Sequence, residues 1–463
     1  MSMCRASVFG MGLLAVVLAG CGIFKKEGPA GGKSKPATAA AIKAGPMTYV
    51  QDGNGLPNSR IWKSQIAFGD VNGDGYPDLG AISRLADGPW IYITDGKGNW
   101  KDAANGLPRE PYCGGGMDFM DVNKDGFMDV AVADHCKGVF VYLGDGHGNW
   151  RSASSGLPTI GAEDVALGDF NNDGCPDLAS VAAAEEGVRA FVGNCKGVWK
   201  ESSDGLALTD WGNAVKLIDV NGDGMRDIVA AYAAGPRVWL ADGKGHWREA
   251  SQGLPAPEIH GLYWGIDAGD LNGDGRIDIV SGSQMPPLPE GCGAPGAAVC
   301  NGGGVEAFLQ QPDGTWVAAN DGFLPMNALG VATGDLNNDG KADVVAVGKR
   351  ALDEIGGVYG VFIYLGDGTG KWTPVAPVGL PQTGKERTWG VALADVDKDG
   401  VLDIGVAFGD VVSPNWHSGA KKEAKEAKDA KAAKDGEPKD PAAPQRGKFG
   451  SLGVWRGQLK PGS

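Results

Sequence analysis

This chain has few of the residues that carry chemistry. Its 463 residues hold five histidines, His135, His147, His246, His260 and His417, and no two share a metal-ligand spacing. No nucleophile motif and no phosphate-binding glycine loop appears, so nothing linear supports catalysis. A basic stripe is also missing. The net charge is −15, from 42 Lys and Arg against 57 Asp and Glu, which argues against a nucleic-acid partner. Long apolar runs are lacking as well: Val8 to Ala19 is too short to span a bilayer as a mature helix.

The chain does have a nine-residue pattern, written seven times: Asp, any, Asn or Asp, any, Asp, Gly, any, any, Asp. Positions 1, 3, 5 and 9 are Asp70, Asn72, Asp74 and Asp78 in the first copy, then Asp121, Asn123, Asp125 and Asp129. The third and fourth copies carry Asp169, Asn171, Asp173 and Asp177, and Asp219, Asn221, Asp223 and Asp227. The fifth and sixth carry Asp270, Asn272, Asp274 and Asp278, and Asp335, Asn337, Asp339 and Asp343. The seventh is the most acidic, with Asp395, Asp397, Asp399 and Asp403. Side-chain oxygens at these positions converge when the backbone curls, and Gly at position 6 permits the curl. Position 7 adds a backbone carbonyl, which suits its varied occupants Tyr76, Phe127, Cys175, Met225, Arg276, Lys341 and Val401. Oxygen-only ligands with several carboxylates point to Ca²⁺ rather than Zn²⁺, and Mg²⁺ would keep more water. Up to seven structural Ca²⁺ ions are expected. An EF-hand needs an acid at position 12, and Ala81, Val132, Ser180, Ala230, Ser281, Ala346 and Val406 stand there instead.

A short apolar stretch rich in β-branched residues precedes and follows each loop, as in Val215–Ile218 and Asp343–Val347. These are strands, too short for helices. A third strand follows, as in Val139–Leu143, then a turn and a fourth strand led by Trp100, Trp150, Trp199, Trp247, Trp316 or Trp372. That Trp reads as blade packing. Four strands in about 50 residues make the blade of a β-propeller. The seventh unit lacks a Trp-led fourth strand, and the mature N-terminus offers an orphan one at Thr48–Asp52. The expected fold is therefore all-β: a seven-bladed propeller of four-stranded blades over residues 47–463, its N-terminal strand closing the last blade.

The loops, strand spacing and closure resemble the FG-GAP/VCBS repeat family, best known from the seven-bladed heads of integrin α subunits. The resemblance implies ion loops on the lower rim, between the first two strands of each blade, and partner contacts on the opposite face. Unlike integrin heads, this chain carries the loop in all seven units, and it shows no integrin leg, transmembrane helix or cytoplasmic tail. In the family layout Trp62, Tyr112, Trp211, Trp264 and Trp389 would ring the upper mouth, where aromatic faces stack on sugars or anchor proteins. The blade plan also pairs six cysteines locally: Cys113 with Cys136, Cys175 with Cys195, and Cys292 with Cys300, fitting an oxidising compartment.

The start reads as a lipoprotein signal over residues 1–20. Leu18-Ala19-Gly20-Cys21 resembles the bacterial lipobox, with Cys21 lipidated, and residues 22–46 form a Gly/Ala/Lys/Pro tether. Gly22 is not an Asp retention signal, which points to the outer membrane of the cell envelope. Residues 413–446 form a low-complexity Lys/Ala/Glu/Asp insert in blade seven, and 281–304 and 348–360 are long upper connections. The expected function is an envelope-anchored, Ca²⁺-binding, non-catalytic binding or adhesion module with a protein or glycan at its upper face. A carbohydrate-binding lectin is the first alternative. The second is a polysaccharide-acting enzyme whose site is assembled at the mouth from several blades.

Overall fold

The computed structural model describes residues 45–84, 87–182, 187–232, 235–255, 262–284, 304–350, 358–383, 387–409 and 451–460. The chain divides after residue 41 into two units, and every described strand belongs to the second, 42–463. Cys21, the tether up to residue 44, the insert and the Cys292/Cys300 pair lie outside the described residues.

Among the described residues the strands build seven sheets and no helix occurs. Blade two shows the plan: Gly115–Met120, Asp129–Asp134, Gly138–Gly144 and Trp150–Ser152, antiparallel and in chain order from the axis outward. Its second strand reads Asp-Val-Ala-Val-Ala-Asp and is buried on both faces. A continuous apolar run of that length marks a strand sandwiched between neighbouring sheets. Inner strands of successive blades pack against one another around the whole ring, including blade seven against blade one.

The seam closes as expected. Met47–Asp52 pairs antiparallel with Leu452–Leu459, setting Met47 opposite Leu459 and Asp52 opposite Val454. Asp403–Gly409 and Arg387–Ala394 complete that sheet. Hiding the N-terminal strand this way removes two sheet edges. Blade one departs from the plan: Ser64–Gln65 pairs parallel with Gly115–Gly116 of blade two, and only Ala67–Gly69 joins its own sheet.

In blades two to six the Trp at the head of the fourth strand is a staple between blades. The indole N–H of Trp150, Trp199, Trp247, Trp316 and Trp372 donates to the carbonyl of Ala103, Ala153, Ser202, Ala250 and Ala319 of the preceding blade, at 2.7–2.9 Å. Among the described residues two disulfides are present, Cys113–Cys136 and Cys175–Cys195, with Cα separations of 5.6 and 5.2 Å.

Candidate functional site

The seven acidic loops repeat one hydrogen-bond plan. One oxygen of the position 1 carboxylate accepts the N–H of the position 6 glycine, at 2.7–2.9 Å. Position 3 caps the N–H of position 5, and position 5 caps that of position 7. Position 4 requires a left-handed backbone. It holds Gly73, Gly222 and Gly273 in three copies, and Lys124, Asn172, Asn338 and Lys398 at φ of 56–60° in the others. The longer of these reach the neighbouring loop, as where Asn338 Nδ2 donates to the carbonyl of Gly400.

Position 9 does more than the pattern alone suggests. Asp78 accepts the N–H of Val71 with one oxygen and the N–H of Thr94, on the third strand, with the other. Asp129, Asp177, Asp227, Asp278, Asp343 and Asp403 each make the same pair of bonds, to the loop at 2.8–3.1 Å and to the third strand at 2.8–2.9 Å. All seven side chains are fully buried. Burial, and after it the carboxylates of their own loops, pushes Asp78, Asp129, Asp177, Asp343 and Asp403 up to about 7 and Asp227 and Asp278 to about 6.

Position 7 has a packing role beyond its carbonyl. Tyr76 and Phe127 cover the turns at Gly96 and Gly146 between the third and fourth strands. Cys175 meets the same turn through Cys195, so in blade three the disulfide replaces that contact. Position 7 therefore contributes through its side chain as well as its backbone.

The donor set fits a hard divalent cation. Each loop concentrates carboxylate and amide oxygens around a buried carboxyl that resists ionising, and each oxygen has a second lone pair beyond its hydrogen bond. In loop seven, oxygens of Asp395, Asp397 and Asp403 lie within 4.8 Å of one another.

The upper end of the axis is built differently. The residue six positions before each loop forms an iris: Ser64, Gly115, Glu163, Asn213, Trp264, Leu329 and Trp389. In blades three to six it is the extra residue of a β-bulge, and Trp389 falls in the matching irregularity of blade seven. A bulge re-aims one side chain toward the axis. The gap left inside measures about 30 Å³. Glu163 joins three blades there: Lys63 Nζ donates to it at 3.1 Å, and His135 Nδ1 sits against its other oxygen. Burial alone would raise Glu163, but Lys63 and then His135 outweigh it and hold the carboxyl down at about 2.

An FG-GAP-like repeat model matches residues 70–132, 121–180, 219–281, 296–346 and 354–406, together more than half of the chain. The chain belongs to the FG-GAP-like repeat family. Among curated proteins no sequence match was found. Among solved structures, BBS1N in complex with ARL6DN, soaked with mercury, is 10% identical with a TM-score of 0.52, covering 91% of this chain and 99% of its own. That likeness is one of fold. A lectin of Agrocybe aegerita, described as recognising non-reducing terminal N-acetylglucosamine, is 18% identical over 74% of this chain and 92% of its own, with a TM-score of 0.43.

In this FG-GAP-like repeat propeller the five mouth aromatics do not form one ring, which corrects the sequence expectation. Trp264 and Trp389 belong to the iris and meet edge to face with ring centres 6.1 Å apart. Trp62 and Tyr112 start further back in their blades and are fully buried, Trp62 donating to the carbonyl of Ser59. Trp211 is partly exposed and packs against His135. Four of the five are sealed, so their faces are spent on packing and not open to a ligand. The sequence reading missed Glu163, Lys63 and Asn213. Counting six residues back from each loop would have found all but Lys63.

A groove of about 610 Å³ lies on the outside, between blades four and five. At two other junctions an amide pair clasps the blades, Asn54 with Asn99 and Asn105 with Asn149. Here the matching residues, Gln252 and Thr315, share no side-chain bond among the described residues, and Arg237, Arg248 and Asp313 line the opening.

Proposed function

We propose that this chain is a calcium-stiffened, non-catalytic binding module held at the bacterial cell envelope. The observation that carries the proposal is the sevenfold repeat of a buried position 9 carboxylate beside two or three further carboxylates. Asp70, Asn72, Asp74 and Asp78, with their counterparts in the other six loops, are the residues that would hold the ion. Bound Ca²⁺ supplies positive charge and a cross-link between the first hairpin's ends. The loop's own part is to hold the donors ready: position 1 is fixed by the glycine N–H and position 9 by the loop backbone and the third strand. Differential scanning calorimetry with calcium and then with excess EGTA is the test. A sharp fall in melting temperature is expected, and identical curves would refute the structural role of the metal.

The envelope half of the proposal rests on Leu18-Ala19-Gly20-Cys21, with Cys21 as the lipidated terminus and residues 22–46 as tether. Cys21→Ser is expected to move the protein from the membrane fraction to the soluble one. Adhesion to a protein partner is the primary reading.

The groove between blades four and five favours a second reading, a glycan ligand. Its volume falls in the range of small-molecule sites, roughly 300–1000 Å³, and its lining offers amide, hydroxyl, guanidinium and carboxylate groups to sugar hydroxyls. Glycan-array binding lost in Gln252→Ala and Arg248→Ala would support it, and silence across the array would remove it.

A further inference from the structure

Below the iris the axis opens into a channel of about 280 Å³, lined by the inner strands of all seven blades. The residue three positions before each loop lines it: Ala67, Asp118, Ala166, Lys216, Asp267, Ala332 and Ala392. Asp164 adds a fourth charge, closer to the iris. Four alanines leave room around four charged groups.

Each carboxylate is pinned to the next blade. Asp118 accepts the N–H of Leu167 at 2.8 Å, Asp164 that of Val215 at 3.0 Å, and Asp267 that of Thr333 at 2.9 Å. Lys216 stands between them, walled by protein but open to the channel. Burial works against its charge, and Asp267, Asp164 and Asp118 outweigh that penalty. Still, no carboxylate oxygen forms an ion pair with its ammonium among the described residues. Charges that attract across a confined space close to contact unless something holds them apart. Here the backbone bonds to neighbouring blades hold the carboxylates back. The result is a fixed set of acceptors facing one donor across a gap, with more negative than positive charge. Burial, and Asp118 after it, raises Asp164 to about 7 despite Lys216. At about 30 Å³ per water, the space matches roughly nine waters or one molecule of amino-acid size.

We propose that the channel binds a basic amino acid, its ammonium groups on Asp118, Asp164 and Asp267 and its carboxylate on Lys216. The site is independent of the rim loops and of any ligand at the outer groove. Three carboxylates against one ammonium favour a ligand with net positive charge, and Lys216 demands an acceptor on the same molecule. A simple diamine meets only the first condition, and an acidic amino acid only the second.

Isothermal titration calorimetry on the full mature chain in calcium buffer tests this with L-lysine, L-arginine, putrescine and L-glutamate. Saturable one-to-one binding of lysine or arginine, stronger than that of putrescine, is expected, with no heat from glutamate. Asp267→Asn keeps an oxygen for the Thr333 N–H, so the melting temperature should hold while affinity falls at least about tenfold. Lys216→Met should erase the preference for lysine over putrescine. No heat from any amine at millimolar concentration would overturn the proposal. So would binding unchanged by both substitutions, or putrescine binding as tightly as lysine in the unsubstituted protein.

Discussion

Glu163 is a buried charge held by two partners from other blades. Its side chain is 4% exposed, and it joins blades one, two and three through Lys63 and His135. Removing one member of such a buried set leaves an uncompensated charge behind, so Glu163→Gln should cost about 3 kcal/mol near neutral pH. The pH dependence follows from the sign of the shift. The folded carboxyl sits at about 2, below its unfolded value of 4.5, so its contribution is complete above 4.5 and is lost as pH falls toward 2. Urea titrations between those limits should show a slope that Glu163→Gln lacks; parallel slopes would refute the ion-pair account. In the sequence Glu163 was invisible, because Glu-Asp before Val165-Ala166-Leu167 looks like the polar end of a strand. A bulge is one inserted residue, and no propensity marks it; only alignment of the seven units on their loops does. The loop residues were the opposite case. Their chemistry repeats at fixed spacing, so Asp70 to Asp78 could be read directly, down to the turn at Gly75. What stayed hidden was that Asp78 is also a peg between two strands, since Thr94 lies far along the chain.

At the scale of the strand, the Trp-led fourth strands were legible because one large residue recurs at one place in each unit. Their role as packing was legible too; the bond that five of the six indoles make to the previous blade was not, because it depends on a carbonyl some 45 residues or more earlier. That bond separates two substitutions that are chemically alike. Trp199→Phe strips the N–H from the Ala153 carbonyl and leaves it bare, whereas Trp100 Nε1 has no partner to lose. Both lose ring area, so the difference isolates the bond. Trp199→Phe should cost about 1–3 kcal/mol more than Trp100→Phe in chemical denaturation, and equal losses would mean the staple contributes nothing. Trp100 faces the seam, where the preceding fourth strand is the N-terminal Met47–Asp52. There Arg456 takes over, its Nε 3.0 Å from Asp52 and its Nη1 3.2 Å from Asp397 of loop seven. Arg456→Met should therefore speed hydrogen exchange in Met47–Asp52 while leaving Asp129–Asp134 of blade two protected. Uniform change across both strands would show that the guanidinium does not act as a local latch.

For the ring as a whole, charge and closure are one problem. The loops hold 22 Asp residues, three in each of six copies and four in the seventh, against a net charge of −15 for the entire chain. Carboxylates crowded on one rim repel, and seven of them are buried, so the acidity of this chain is a folding cost unless cations offset it. Composition alone reveals that balance. The central channel is hidden from it, since the channel's charges come from blades two to five and meet only when the ring closes. On the proposed calcium reading, ion binding and folding are coupled by mass action. At ten to a hundred times its dissociation constant, each occupied loop adds roughly 1–3 kcal/mol, provided the unfolded chain binds poorly. The contributions need not be equal. Loop seven has the fourth Asp and the converging oxygens, and it alone carries the seam partner Arg456. Asp399→Ala should therefore lower the calcium-dependent part of the melting temperature more than Asp74→Ala, because it weakens the blade that closes the ring. Scanning calorimetry of both variants, with calcium and with EGTA, checks this. Equal losses would show that the loops act as independent rivets, and a larger loss in Asp74→Ala would place the critical ion in blade one.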